Sequence, residues 1–470
     1  MKISHGLKLF LTSLLITACS KSDPQSDSFT DNSSSHQQLK NAKYSSEDEK
    51  KALSRFITGS EFCEKYKSVT STENGFYVTV PVDYERPESG TTKIWAYFTS
   101  GPFNPEKPTM IYFDGGSGGN SHGGKKLLND FNELHYDQRG IGCSHPESLD
   151  LYRDPNFYSN TNNARDAEEI RKSLKIDKLS LYGASYGTVV ATIYASLFET
   201  NTRAVILDGT VFSDDPSSER IVGYYLKKMH AALPKGTQAG LKRYIDSEEQ
   251  IANLWTLARI LMYSNDPFGQ MKKFLTLAFP SENEINQKLA DTILGPDLHR
   301  QLFFGDEISS VEAFNNQVLN CKNGRQKHKI DVSLFGPTMG GAAYNVFHNY
   351  EYTVDRTKEC ETIHAKEDSI LYSADLYPIN LPVVYFQGNL DGATFASGAV
   401  KHYKKVPKKQ KQLLIAVNGG HCPGIASLRS NNSDAIDLME TALLGKVISN
   451  DQLKKFNAVD PSVRWVYTSK

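Results

Sequence analysis

Apolar and polar residues alternate at positions 76–80, a stretch bearing Pro and Gly follows at 81–90, and alternation resumes at 93–98. Period-two patterning on both sides of a turn predicts an opening antiparallel strand pair. The chain then changes character: short continuous apolar runs occupy 110–113, 179–182, 205–207, 383–386 and 413–417, each closed by a Gly or Asp turn. Runs of that length suit strands covered on both faces, as in a parallel sheet. Helical periodicity fills 164–174 and 189–197 between them. Strand and helix in alternation predict an α/β fold, a doubly wound and mostly parallel sheet, with functional residues at the C-terminal ends of its strands.

Between 214 and 377 the strand signals thin out. Ile251, Leu254, Trp255, Ala258, Leu261 and Met262 fall on one helical face, and similar stripes begin at Met271 and Val311. Stripes of this kind bury against a neighbour, so they are read as core and not as a cofactor site. The expected organisation is a sheet domain in two parts, 50–213 and 378–470, with a helical cap inserted at 214–377.

The N-terminus requires a separate account. Lys2 and Lys8 lie before and at the start of an apolar run at 7–18 that is too short to span a membrane and has the form of an export signal. Its last residues, Ile16, Thr17 and Ala18 before Cys19, resemble the bacterial lipoprotein processing box, in which the cysteine is lipidated and becomes the new N-terminus. Residues 1–19 are therefore expected to be a signal peptide ending at a lipidated Cys19. Ser20 at the next position resembles lipoproteins passed on to an outer membrane. Residues 20–49 are polar and without apolar periodicity, the composition of a disordered tether. The expectation is an exported lipoprotein, anchored to a membrane by lipid and facing the periplasm or the cell exterior, where disulfides are permitted.

Composition narrows the partners. Lys and Arg number 53 against 54 Asp and Glu, so no global field points to nucleic acid. The basic run at 401–411 is expected to be solvated surface. No HExxH and no paired CxxC occurs, which leaves metal catalysis without a sequence signal. Beyond Cys19 the cysteines are Cys63, Cys143, Cys321, Cys360 and Cys422, an odd number whose pairing the spacing leaves open.

The candidate chemistry gathers at three strand ends. Residues 179–188 read LSLYGASYGT, a strand run entering a GxSxG pentapeptide and then a helix-forming segment. Glycines flank the serine because the strand-to-helix turn leaves no room for side chains there, and the turn lifts Ser185 Oγ clear of the sheet. A serine hydroxyl needs a base in hydrogen-bonding reach, itself held in one tautomer by a carboxylate, in the chain order Ser, acid, His. His421 follows a strand and two glycines in LLIAVNGGH. Asp391 closes the preceding strand in VVYFQGNLDGAT, and Asp208, in VILDG, also ends a strand and is the rival acid. Backbone donors for a developing oxyanion are expected at Tyr186, after the nucleophile, and at Gly116 in the loop DGGSGG at 114–119. That loop lacks the GK[ST] ending of a phosphate cradle. Such chemistry calls for no cofactor.

The set VPVDYERP (80–87), DGGSGG, YDQRGIGCS (136–144), GASYGT, VILDG, GNLDGAT and GGH resembles the prolyl and tripeptidyl aminopeptidase family of α/β-hydrolases, which are serine peptidases, over nearly the whole chain beyond the tether. The resemblance implies a peptide substrate trimmed from its free N-terminus, with the cap narrowing the entrance. It favours Asp391 over Asp208 as the acid and implies that Asp137 and Arg139 support the fold. It also implies a disulfide between Cys321 and Cys360. Cys422, beside His421, lacks a nucleophile elbow and is expected to be a small packed or paired residue. Asp114, Ser117 and the turn at 392–395 depart from the usual pattern, which bears on the first subsites and so on specificity. An exopeptidase must also hold the substrate ammonium group, and the cap offers many acids, Glu219, Glu307 and Glu312 among them, without singling one out.

Overall fold

The computed structural model describes residues 63–64, 75–116, 126–212 with short breaks at 149, 152–153 and 155, parts of 225–294, the backbone at 327–330 and 352–355, and 372–468 with breaks at 408–409 and 459–463. Residues 1–49, and with them Cys19 and the tether, lie outside these, as do Glu219, Glu307, Glu312, Val311, Cys321 and Cys360.

The opening pair forms as the alternation predicts. Strand β1 (Gly75–Pro81) runs antiparallel to β2 (Thr91–Phe98), with Val78 opposite Ile94 and both buried. The strands that follow are β3 (Thr109–Phe113), β4 (Asn132–Tyr136), β5 (Leu179–Ala184) and β6 (Thr202–Asp208), with helices α1 (Asn160–Ser173) and α2 (Gly187–Leu197) flanking β5. After the inserted region come β9 (Val383–Gly388), helix α6 (Ala396–Lys405), β10 (Lys411–Val417), helices α7 (Pro423–Arg429), α8 (Ser433–Leu443) and α9 (Asn450–Asn457), and β11 (Arg464–Tyr467). The sheet order is β1-β2-β4-β3-β5-β6-β9-β10-β11; the run from β4 to β10 is parallel, and β1, β2 and β11 make antiparallel edges. Chain order reverses direction at β3, between β4 and β5. Open α/β sheets bind ligands at such a switch point, outside the strand C-termini.

Period two divides the sheet between two cores. Ile111, Phe113, Leu179, Leu181, Val205, Leu207, Val383 and Tyr385 face α1, α2 and α6. Met110, Tyr112, Tyr182, Ile206, Val384, Phe386 and Leu414 face α7, α8 and α9. Local signals set the helix ends: Ser159 caps α1 by accepting from Asn162 N–H at 3.0 Å, and Ser449 and Gln452 close a capping box on α9.

The inserted region holds helices α3 (Lys235–Tyr244), α4 (Pro267–Ala278) and α5 (Gln287–Leu294) over a core of its own. Of the predicted stripe, Leu254, Ala258, Leu261 and Met262 are fully buried in that core, with Met271, Phe274 and Leu275. The region is not wholly helical: β7 (Lys327–Ile330) pairs antiparallel with β8 (Tyr352–Asp355).

The segments 80–87 and 136–144 turn out to be two halves of one buried connection. Arg139 donates to Asp166 Oδ2 at 2.7 Å and Oδ1 at 2.8 Å, and also to the carbonyls of Pro81 and Val82. Tyr84 donates to the same Asp166 at 2.8 Å, and its ring and that of Phe157 lie against the guanidinium. A charge with this many partners can be buried; removing either member of the pair would leave the other uncompensated, at a cost of about 3–5 kcal/mol. Asp137 and Arg139 are thus structural here, each in its own way.

Cys63 is joined to Cys143 by a disulfide across 80 residues, a pairing the sequence reading left open. It packs on Trp95 and Tyr97 beside the antiparallel edge. Closing a loop of that length restricts the unfolded chain, which stabilises by about 2–4 kcal/mol. Next to it, Asp137 accepts from Cys143 N–H at 2.8 Å through Oδ2, while its Oδ1 has no hydrogen-bond partner among the described residues. Burial pushes this carboxyl up to about 7, against the opposing effect of the Cys143 N–H. Its folded-state affinity for a proton exceeds that of the unfolded chain, so its contribution is fully present below about pH 4 and is lost as pH rises through about 7. The Asp137→Asn variant should therefore melt progressively higher relative to the parent as pH is raised from about 5 to 8. A difference in melting temperature that stays constant across that range would refute the assignment.

Candidate active site

A close backbone contact forms the turn after β5. Ser185 has φ 53°, a left-handed conformation that costs a non-glycine residue of order 1–3 kcal/mol and needs surroundings that enforce it. Those surroundings are its two glycines. A Cβ on Gly187 would lie 1.9 Å from the carbonyl oxygen of Phe113, and one on Gly183 would lie 2.6 Å from that of Gly187. Helix α2 therefore starts against the end of β3. The backbone is closed by Ser185 N–H to Asp208 O at 2.8 Å, and Thr188 Oγ1 donates back to Ser185 O at 2.6 Å. Ser185 is half-buried at the switch point.

Close packing of α2 on β3 sets the start of the helix against the loop that carries Gly116. Tyr186 begins the helical turn, and Gly116, at φ 70°, lies two residues beyond Asp114, whose carbonyl Gly187 approaches. Gly116 is exposed; residues 117–119 of its loop fall outside the described residues.

His421 and Asp391 meet in the interior. The imidazole Nδ1 lies 2.8 Å from Asp391 Oδ2, and both side chains are almost completely buried. Asp391 Oδ1 accepts from the N–H groups of Ala393 and Thr394 at 2.8 Å each. Its Oδ2 also accepts from Thr394 Oγ1 at 2.8 Å and from Gln387 Nε2 at 3.0 Å. A carboxylate supplied with this many donors is held in one orientation in a dry site. Gln387 extends the network, donating to Thr394 O at 2.7 Å and accepting from Thr210 N–H at 3.0 Å. Neither Gln387 nor Thr394 was singled out from sequence; the signal was a polar residue ending an otherwise apolar run, VVYFQ, and a hydroxyl three residues after the acid.

Asp208 does different work. Its carboxylate accepts from Gly424 N–H at 3.1 Å, Ile425 N–H at 2.7 Å and Tyr182 Oη at 2.9 Å, and so caps the start of α7 just after His421. Burial pushes its carboxyl up to about 7, opposed by those donors and by the nearby His421. Cys422 is buried at the helix start with its thiol donating to Asp208 O at 3.5 Å. Among the described residues no group of His, Cys, Asp and Glu is arranged to hold a metal ion. A serine in a left-handed turn at a sheet switch point and an imidazole oriented through Nδ1 by a carboxylate are the residue types that acyl transfer requires.

The fold and this arrangement define a hydrolase of the α/β class. The chain belongs to the alpha/beta hydrolase fold family, whose model matches residues 108–426. Among its relatives are the serine protease Hip1 of Mycobacterium tuberculosis, 45% identical over 60 residues that make up 13% of this chain and 11% of that protein. Proline iminopeptidase of Lacticaseibacillus rhamnosus is 27% identical over 148 residues, 30% of this chain and 48% of that one. Tripeptidyl aminopeptidase of Streptomyces lividans is 24% identical over 196 residues, 31% of this chain and 36% of that one. The chain thus spans less than half the length of each of these relatives. A solved structure of proline iminopeptidase from Mycobacterium smegmatis aligns with 78% of this chain and 99% of that one, at 15% identity and a TM-score of 0.40.

The two carboxylates can be told apart by activity. Asp391→Asn should lower kcat by about 10³–10⁴-fold at nearly unchanged stability, because the amide favours the wrong imidazole tautomer. Asp208→Asn should lower the melting temperature and reduce kcat by less than about tenfold, since it disturbs a helix cap. The reverse ranking in parallel kinetics and thermal melts would make Asp208 the acid.

Proposed function

We propose that this chain is a serine exopeptidase that hydrolyses peptide bonds near the free N-terminus of its substrates. Ser185 Oγ attacks the scissile carbonyl while His421 accepts its proton, and Asp391 holds the imidazole in the required tautomer. The N–H groups of Tyr186 and Gly116 receive the negative oxygen of the tetrahedral intermediate. On collapse the C–N bond breaks, His421 returns the proton to the leaving amine, and a water activated by the same base releases the acyl group from Ser185. The observation that carries this reading is the buried 2.8 Å contact between His421 and Asp391, with the left-handed Ser185 at the end of β5 in the same parallel sheet. Peptidase names among the relatives favour a peptide over a simple ester. A fluorophosphonate probe should label the parent and not Ser185→Ala. Aminoacyl and tripeptidyl 4-nitroanilides with a free amine should be cleaved at least about 100-fold faster than their N-acetylated forms, given that an unpaired binding group in the site is costly. Equal rates would reject the exopeptidase reading, and turnover of esters alone would make the protein an esterase.

We also propose that the protein is exported and held to a membrane through lipidated Cys19, with residues 20–49 as its tether. The short apolar run at 7–18, the residues before Cys19 and the polar composition of 20–49 support this. A disulfide between Cys63 and Cys143 suits an oxidising compartment outside the cytoplasm. An alkynyl palmitate supplied to expressing bacteria should be incorporated into the parent and lost from Cys19→Ala; incorporation retained by the variant would refute lipidation at this residue.

A further inference from the structure

One turn of the inserted region reaches the imidazole. The backbone N–H of His421 donates to Met262 O at 3.0 Å, and the ring of Tyr263 packs edge-to-face on the imidazole, with centroids 4.9 Å apart at 74°. Approach this close is possible because Gly420 has no side chain. A Cβ there would lie 2.0 Å from Ser264 O and 2.4 Å from Met262 O. The same turn touches the acid's loop, where a Cβ on Gly392 would lie 2.3 Å from Met262 Sδ. A second tie runs alongside, from Tyr225 Oη to Asn389 O at 2.6 Å.

The turn is stiff in its own right. Ser264 bonds back to Leu261 O through both its N–H, at 2.9 Å, and its Oγ, at 2.7 Å. Leu261 and Met262 are anchored in the core of the inserted region, and Asp266 caps helix α4 immediately afterwards. Tyr263, half-buried, is the member of the turn that faces the imidazole.

Asp391 holds His421 at one ring atom. Asp391 Oδ2 at 2.8 Å and Thr394 Oγ1 at 3.3 Å both meet the ring at Nδ1, and a tilt of the ring plane about that edge would shift Nε2, the atom that has to meet the serine proton. A ring packed on the imidazole blocks that motion. We infer that Tyr263 is a positioning residue for His421, and that the inserted region is thereby part of the catalytic base's seat as well as the roof over the substrate. This inference rests on the serine hydrolase reading above. A misplacement of about 1 Å in a reacting group costs about 100-fold in rate, so the loss should appear in kcat.

The test uses the full chain with Tyr263→Ala, Tyr263→Phe and Tyr263→Leu. Two substrates are compared, 4-nitrophenyl acetate, which is too small to need the inserted region, and a free aminoacyl 4-nitroanilide. Fluorophosphonate labelling rates at Ser185 and thermal melts accompany the kinetics. Tyr263→Ala should lower kcat on both substrates and the labelling rate by about 10–100-fold, with KM for the acetate changed less than about threefold. Tyr263→Phe, which keeps the ring, should recover activity to within about threefold of the parent. Tyr263→Leu refills the volume without a ring plane and should remain slow; it also serves as the folded comparison if Tyr263→Ala melts early. A parent-like labelling rate in both Tyr263→Ala and Tyr263→Leu would overturn the positioning role. So would a loss confined to KM on the aminoacyl substrate, which would make Tyr263 a wall of the substrate site. A parent chain that takes no label at all would overturn the serine hydrolase reading, and the positioning role with it.

Discussion

The end of β6 is where the site is tied together. Asp208 receives Ser185 N–H on its main-chain oxygen and the first N–H groups of α7 on its carboxylate, so one residue sets the positions of the serine turn and of the loop carrying His421. Gly209 continues the tie: its N–H bonds to Phe386 O on β9, and a Cβ on it would meet Cys422 Sγ, His421 Cε1 and Thr394 Oγ1 at 3.0–3.1 Å. Twisted parallel strands diverge beyond their last ladder hydrogen bonds, and side chains on separate loops would hold no common geometry without such cross-connections. Burial raises the Asp208 carboxyl to about 7, a cost met by three donors that would otherwise be unsatisfied themselves. The rival acid of the sequence is thus a bracket for the site.

A second polar knot, Arg139 with Asp166, Tyr84 and the carbonyls of Pro81 and Val82, works at the far edge in the same way. It fastens the antiparallel pair to helix α1, whose Asn160 and Asn163 in turn hydrogen-bond the hydroxyl of Tyr186. Two sequence motifs that look unrelated are therefore one interaction. Each knot is buried and satisfied, and a buried network in that condition specifies one arrangement because partial alternatives leave charges unpaired.

What could be read from the sequence follows from which physical signals are local. Continuous apolar runs disclosed β3, β5, β6, β9 and β10, because burial on both faces demands them. Strand β4 was missed because NELHY looks amphipathic only by its polarity: Glu133 is buried with its carboxylate on the Leu127 and Leu128 N–H groups and the Thr99 hydroxyl, and His135 is buried between the rings of Tyr97 and Tyr112. Edge strand β11 is only four residues long, RWVY, too short for a period to show. Helix α1 begins four residues before the apolar periodicity, at Asn160, because its N-terminal cap is polar and its start buries Asn162 and Asn163. Glycine punctuation located Ser185, Asp391 and His421, but could not rank Asp391 over Asp208, since both end strands in similar turns. Which carboxylate meets the imidazole depends on contacts between loops distant in the chain, and the same is true of Gln387 and of the Cys63–Cys143 partnership.

The glycines before His421 show how those distant contacts leave a local trace. Loop glycines invite a reading as hinges, yet Gly420 lies against the carbonyls of Met262 and Ser264, and a Cβ on Gly388 would lie 1.9 Å from Gly420 O. They allow backbone to meet backbone, from the sheet on one side and the inserted region on the other. A loop packed on both sides has fewer conformations than its composition suggests, and the loss of freedom falls on His421, the base of the proposed mechanism. Insertion of the helical region between β6 and β9 is, on this geometry, coupled to the chemistry through the shape of the His421 loop, so changes in the inserted core that move Met262 would reach the base without touching the substrate.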